Sequence, residues 1–335
     1  MSKPVFVGAG VAIVTPFFEN GGINFDELKR MIEFQIAQGI DSIVICGSTG
    51  EAATMDHEEH VAAIKCAVDT VAGRVPVIAG TGSNDTAYGI NLTKAAKELG
   101  ADAALLVTPY YNKCTQEGLY RHYKAIADAV PDLPIILYNV PSRTNVNISP
   151  ELLLKLSDCE NIVGVKECNF GQVPEIYSLC GVRYAMYSGE DGLAVPMLSL
   201  GAKGVISVIA NIMPKETSQM IHDYINGDTE KAKKAQIDFI PLVKAMFCEV
   251  NPIPVKEAMN ILGWNAGPCR LPLCEMSKAN HDKVVDVLAK YDTSAMADFL
   301  AKYIVYLGYL NHYISVRACY INGITICIFS VVIRI

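Results

Sequence analysis

The stretch Ile162-Val163-Gly164-Val165-Lys166-Glu167 runs a lysine straight out of a short apolar segment. Such a run, rich in β-branched residues and bounded by turn signals, reads as a strand buried on both faces. Lysine is almost never fully buried without a partner, so it is a poor choice there if only stability matters. Desolvation lowers the pKa of an ammonium. A neutral amine in turn attacks a carbonyl and forms a Schiff base. The competing reading is a salt-bridged lysine that snorkels to the surface. The segments on either side decide between the two.

Working outward, the same kind of run recurs eight times: Val11–Val14, Ser42–Cys46, Val75–Ala79, Ala103–Val107, Pro134–Tyr138, Ile162–Lys166, Tyr184–Tyr187 and Gly204–Val208. An amphipathic stretch follows each one, such as Asp26–Gln38, His57–Val71, Asp85–Leu99 and Gln116–Ala129. Asn84 or Asp85 can cap the third helix. Gly39 and Gly100 fall just past helix ends, and Ser149-Pro150 offers an N-cap with proline in the first turn. Eight alternating units predict an α/β fold, a closed (β/α)8 TIM barrel, over residues 1–226. An open doubly wound sheet competes, but Gly80-Thr81-Gly82 lacks the rest of a dinucleotide fingerprint. Helices over Asp228–Cys248, Pro254–Leu262 and Ser277–Lys290 predict a C-terminal helical appendage over residues 227–292.

Residues 293–335 differ in character, with Asp298, Lys302, Arg317 and Arg334 as their charges. The longest uncharged run, Ala318–Ile333, has 16 residues, short of the roughly 20 that span a bilayer. Asn322-Gly323 between β-formers reads as a two-residue hairpin turn. An assembly element, a membrane-associated tail and an extension foreign to the evolved protein compete. The last is favoured, because the run lacks period, caps and gatekeeper charges.

A chain that is 51% hydrophobic and 19% charged can bury a large core, and a net charge of −7 without a basic tract argues against nucleic acid. The eleven cysteines contain no C-x-x-C pair. Neither a metal site nor a disulfide framework is implied, and scattered thiols suit a reducing cytosol. Nothing in MSKPVFVGAG resembles a signal peptide. A cytoplasmic enzyme without membrane partners is expected.

In such a barrel, chemistry sits on the loops after the strands. Those loops bring hydroxyls, one lysine and one arginine to a single rim. Gly47-Ser48-Thr49-Gly50 offers backbone N–H groups and two hydroxyls for a carboxylate, or forms an ordinary glycine turn. Tyr138 closes the fifth run, where its phenol can reach Lys166 and move protons or simply fill the upper layer of the barrel. Arg143 presents a planar fork suited to a second carboxylate, or makes a surface ion pair. His57 and His60, three apart on one helix face, read as a polar helix surface.

Taken in order, Gly47-Ser48-Thr49-Gly50-Glu51, Pro109-Tyr110-Tyr111-Asn112, Tyr138-Asn139-Val140-Pro141-Ser142-Arg143-Thr144, Gly164-Val165-Lys166-Glu167 and Gly204-Val205-Ile206-Ser207 resemble the dihydrodipicolinate synthase family. That family belongs to the pyruvate-dependent class I aldolases, with N-acetylneuraminate lyase. The resemblance spans about residues 5–291. It implies a lyase that condenses pyruvate with L-aspartate 4-semialdehyde to 4-hydroxy-tetrahydrodipicolinate, in diaminopimelate and lysine synthesis. No cofactor is implied beyond the covalent imine. Lys166 would form that imine, and Tyr138, Ser48 and Tyr111 would make a hydroxyl relay, with Tyr111 reaching in from a neighbouring subunit. Thr49 would hold the carboxylate of pyruvate and Arg143 that of the semialdehyde, while Gly189 and Ile206 would line the pocket. The implied assembly is a homotetramer, a dimer of dimers.

Three features depart from the family pattern. The relay threonine is Ser48. The L-lysine feedback site matches at His57, His60, Asn84 and Tyr110, but Tyr88 replaces an acid and Ala52 a serine, so an ammonium partner is missing. The tail after about Asp292 has no counterpart. Two alternative functions remain. One is an aldolase for N-acetylneuraminate or 2-keto-3-deoxy sugar acids, against which Arg143 argues because such aldehydes lack the second carboxylate. The other is a catalytically silent barrel that acts as a binding protein, against which Lys166 argues.

Overall fold

Alternation of side chains along eight short strands sets the architecture. The computed structural model describes residues 3–311, 315–321 and 324–330, with side chains through residue 302. The strands are β1 (Gly8–Ala12), β2 (Ser42–Ile45), β3 (Val77–Gly80), β4 (Ala103–Val107), β5 (Ile135–Asn139), β6 (Ile162–Glu167), β7 (Ala185–Ser188) and β8 (Gly204–Ser207). Each pairs in parallel with the next, and β8 pairs with β1, which closes the (β/α)8 barrel. Every second side chain points inward. Ala12, Val44, Ile78, Leu105, Ile136 and Ile206 thus fill one apolar core with Tyr187.

The floor of the barrel is made by a residue that precedes β1. Phe6 stacks on Tyr187 with ring centroids 4.4 Å apart. The Tyr187 hydroxyl donates to the Phe6 carbonyl at 2.8 Å.

Cap chemistry accounts for where the outer helices begin. Asp56 and Glu59 form a reciprocal capping box at the helix His57–Val71. Asp85, rather than Asn84, caps Thr86–Glu98, and Ser149 caps Pro150–Leu156. Gly39 and Gly100 adopt the left-handed backbone anticipated at helix ends, with φ of 80° and 89°.

Three local expectations change. The first strand starts at Gly8, not Val11, because Gly8, Ala9 and Gly10 already pair with Gly204, Val205 and Ile206 of β8 ahead of the apolar run. A Cβ on Gly204 would lie 1.8 Å from the Gly8 carbonyl oxygen. The predicted helix Asp228–Cys248 is two helices, Thr229–Asp238 and Ile240–Met246. Pro241, in the first turn of the second, supplies no N–H to a continuous ladder. A helical turn at Pro141–Thr144 carries Arg143 on what read as a loop.

Met1–Tyr291 forms one compact unit, so the helices that follow the barrel pack into it. Asp292–Ile335 forms a second unit. It holds a helix, Ser294–Asn311, and the strands Ser315–Ile321 and Ile324–Ser330, which pair antiparallel with Ile321 opposite Ile324. Asn322-Gly323, the anticipated hairpin turn, lies outside the described residues. Among those described, no helix is long and apolar enough to cross a membrane.

Candidate active site

Strand register places the lysine. Lys166 lies two residues after Gly164, and Tyr138 two after Ile136, so both side chains point into the barrel. The two residues are paired neighbours across β5 and β6. Each is 7% exposed. The Lys166 amine sits 4.2 Å from the centroid of the Tyr138 ring. Burial is the main influence that lowers the amine's pKa, with Cys168, Asp191 and Glu190 pulling it back and Arg143 adding to the depression. Burial likewise pushes the Tyr138 phenol well above its usual range, so it stays protonated at neutral pH.

Space for the lysine chain comes from Gly189. A Cβ there would meet the Cys168 sulfur at 2.3 Å and Lys166 Cε at 3.3 Å. Ile206, 1% exposed, belongs to the inward layer on β8. Asp191 ties the seventh loop to the eighth by accepting from the Val208 and Ile209 N–H groups at 2.9 and 3.2 Å.

The loop after β2 turns sharply, with Cys46 and Glu51 both in the left-handed region. Its two hydroxyls separate. Ser48 is exposed and lines a cavity of about 490 Å³, whereas Thr49 is buried and accepts from Asn251 Nδ2 at 3.0 Å. Asn251 also engages the arginine, since Arg143 Nη2 donates to its carbonyl at 3.2 Å. Glu51 anchors the loop from behind, with its carboxylate 2.9 Å from Lys256 Nζ and accepting from the Arg270 N–H at 2.8 Å.

Tyr138, Arg143 and Asn251 share the wall of that cavity with Ser48. Lys166 is not one of its wall residues. The amine lies over the Tyr138 ring, and that ring is in the wall. Tyr111 does not join them within this chain. It is 93% exposed, on a left-handed backbone with φ of 68°.

The same cavity extends to His60, Tyr88 and Tyr110. His60 corrects the expectation of a polar helix surface. It is 5% exposed, with Nε2 2.8 Å from the Gly80 carbonyl, and burial lowers its pKa. His57 stays exposed, edge-on to Tyr88 at 5.9 Å. Asn84 donates to the Tyr110 carbonyl at 3.2 Å. Among the described residues, no group of three or more His, Cys, Asp or Glu is arranged to hold a metal ion.

Sequence reasoning missed Asn251, Lys256 and the buried carboxamides around Glu167. The signal for Lys256 was available, as a lysine within the apolar stretch Ile253-Pro254-Val255-Lys256. Its acidic partner lies 205 positions away, and no local pattern pairs them.

Comparison with known proteins agrees with this geometry. Residues 5–291 match the model of the dihydrodipicolinate synthetase family. A 4-hydroxy-tetrahydrodipicolinate synthase of Acetivibrio thermocellus is 55% identical over 291 residues, covering 87% of this chain and 99% of that protein. The crystal structure of dihydrodipicolinate synthase from Aquifex aeolicus superposes with a TM-score of 0.84 at 48% identity, covering 86% of this chain and 99% of that one. A chloride-inhibited dihydrodipicolinate synthase from Acinetobacter baumannii, solved in complex with pyruvate, superposes at 0.82 with 47% identity, covering 84% of this chain and 98% of that one. With its barrel, its buried strand-end lysine and matches of this extent, the chain belongs to the dihydrodipicolinate synthetase family.

Proposed function

We propose that this enzyme condenses pyruvate with L-aspartate 4-semialdehyde through an imine on Lys166, giving 4-hydroxy-tetrahydrodipicolinate. The observation that carries this reading is the pairing of a buried, pKa-depressed amine with a protonated phenol at one barrel mouth. The amine attacks the ketone carbon of pyruvate, and the oxygen leaves as water after taking up protons, which Tyr138 supplies. Loss of a methyl proton gives the enamine. Its carbon attacks the aldehyde, whose oxygen takes a proton and becomes the hydroxyl. The amino group of the semialdehyde then displaces Lys166 and closes the ring. Each step balances without a redox or metal cofactor.

Ser48 and Tyr111 complete the proton relay with Tyr138. The exposure of Tyr111 supports its use by a second copy of the chain in a dimer, and the family resemblance implies that two such dimers pair into a homotetramer. Thr49 and its backbone hold the carboxylate of pyruvate. Arg143, on the cavity wall, takes that of the semialdehyde. Gly189 and Ile206 shape the pocket around the imine. His60 and Tyr110 on the cavity wall, with His57 beside Tyr88 and Asn84 bonded to Tyr110, make the candidate L-lysine site, where Tyr88 in place of an acid weakens feedback. A cytosolic location fits the free thiols of the nine cysteines whose side chains are described.

Incubation with pyruvate and borohydride, followed by peptide mass spectrometry, tests the reading. One reduced adduct on Lys166 is expected. An adduct elsewhere, or none, overturns it.

A further inference from the structure

The residue after the lysine, Glu167, points to the opposite face of β6, away from the cavity. It is 1% exposed and bonded at both oxygens. Its Oε1 accepts from Asn139 Nδ2 at 2.8 Å and from the Asn169 N–H at 2.6 Å. Its Oε2 accepts from Gln172 Nε2 at 2.9 Å. Asn139 follows Tyr138 and is the cross-strand partner of Glu167. The network then runs into the segment that follows Arg143. Asn139 Nδ2 donates to Asn147 Oδ1, and Asn147 Nδ2 to Gln172 Oε1, each at 2.8 Å. The Ile148 N–H donates to Asn139 Oδ1 at 2.9 Å, and its carbonyl accepts from Gln172 Nε2 at 3.0 Å.

We infer that Glu167 is a positioning residue for the reaction proposed above: it fixes the ends of β5 and β6 and the segment after Arg143 as one body, and so holds Tyr138, Lys166 and Arg143 in mutual register. This rests on that reading of the site. An ionised carboxylate only accepts hydrogen bonds. The two carboxamides that bond Glu167, those of Asn139 and Gln172, therefore turn their NH2 groups inward and their oxygens outward. The outward oxygens of Asn139 and Gln172 are the ones that take the Ile148 N–H and the Asn147 side chain. In its ionised form Glu167 thus sets the direction of the bonds that Asn139 and Gln172 make to the segment after Arg143. Burial pushes that carboxyl up to about 7, opposed by these same hydrogen bonds.

Glu167→Gln keeps the shape but turns one acceptor into a donor, which faces the Gln172 NH2. Rotating the Gln172 carboxamide moves the clash to Asn147. The exchange Glu167→Gln with Gln172→Glu restores donor-to-acceptor contact between the two positions and sacrifices the bond to the Ile148 carbonyl.

The test compares purified wild type, E167Q and E167Q/Q172E in the rate of borohydride-trapped pyruvate adduct, in kcat, in KM for each substrate and in Tm. In E167Q, a tenfold or greater loss of trapping rate and a higher KM for the semialdehyde are expected, with recovery of most of both in the double variant. A folded E167Q that traps and turns over like wild type overturns the inference, even if its Tm is lower, because Glu167 would then be structural alone. If E167Q does not fold, a folded double variant decides: near-wild-type trapping supports the clamp, and trapping tenfold slower refutes it. Failure of the wild type to trap pyruvate would instead refute the proposed function.

Discussion

The Glu51 carboxylate and the Lys256 ammonium meet 2.9 Å apart, with both side chains 1% exposed. The pair joins the loop that carries Ser48 and Thr49 to a helix beyond the barrel, Ile253–Ile261. Removing one member of a buried pair strands the other charge, at a cost of roughly 3–5 kcal/mol, whereas replacing both with apolar groups is often neutral. Lys256→Met should therefore destabilise the protein by about that amount in urea denaturation, and Glu51→Leu/Lys256→Met should recover much of it. Equal loss in the single and double variants would show instead that the ion pair itself, and not a stranded charge, carries that stability.

Tyr138→Phe keeps the ring beneath the Lys166 amine and removes only the hydroxyl. General acid–base catalysis is worth about 10²–10⁴-fold, so kcat should fall within that range while Tm stays close to wild type. Pyruvate should still be trapped on Lys166, more slowly. An unchanged kcat would remove the phenol from the proton path.

Sharing of Tyr111 between copies predicts complementation. Neither Tyr111→Phe nor Lys166→Ala alone should sustain full turnover. Mixed and allowed to exchange subunits, they should regain part of it, because some sites then combine an intact lysine with an intact tyrosine. Confirmed exchange without any gain would make each chain self-sufficient.

Stability should depend on pH through His122, which is 6% exposed and lies 2.8 Å from the Thr86 hydroxyl. Burial pulls its pKa down to about 4, below the ordinary 6.5. Between those values the unfolded chain binds a proton that the native state refuses. Stability from this group therefore falls as pH drops through 6.5, by about 3 kcal/mol in all, and levels off below 4. Glu167 acts with the opposite sign: between 4.5 and about 7 the native state keeps a proton that the unfolded chain has lost, so its contribution falls as pH rises. His122→Gln should remove the first slope and expose the second. Urea titrations across this range would reveal it, and identical pH profiles for variant and wild type would contradict the assignment.

The barrel was legible because eight apolar runs alternate with amphipathic stretches, and that periodicity is local. β4 and the helices His57–Val71 and Gln116–Ala129 match their predicted bounds for this reason. β1 was misplaced because Gly8 and Gly10 carry no hydrophobic signal, although both pair with β8, where the seam needs Gly204. That Lys166 and Tyr138 meet at the strand ends was readable from their positions at the close of two apolar runs. Asn251 and Lys256 were not, since each acts across more than 200 positions. His60 read as surface because spacing on a helix cannot tell which face meets a strand carbonyl.

The stacked pair of Phe6 and Tyr187 corks the lower end of the barrel. The chemistry proposed at Lys166 then uses the opposite mouth of the barrel, and because the imine must form before the second substrate is attacked, the two substrates take turns. The water released by the first has to leave before the second can settle, and double-reciprocal plots at several fixed pyruvate concentrations should accordingly run parallel.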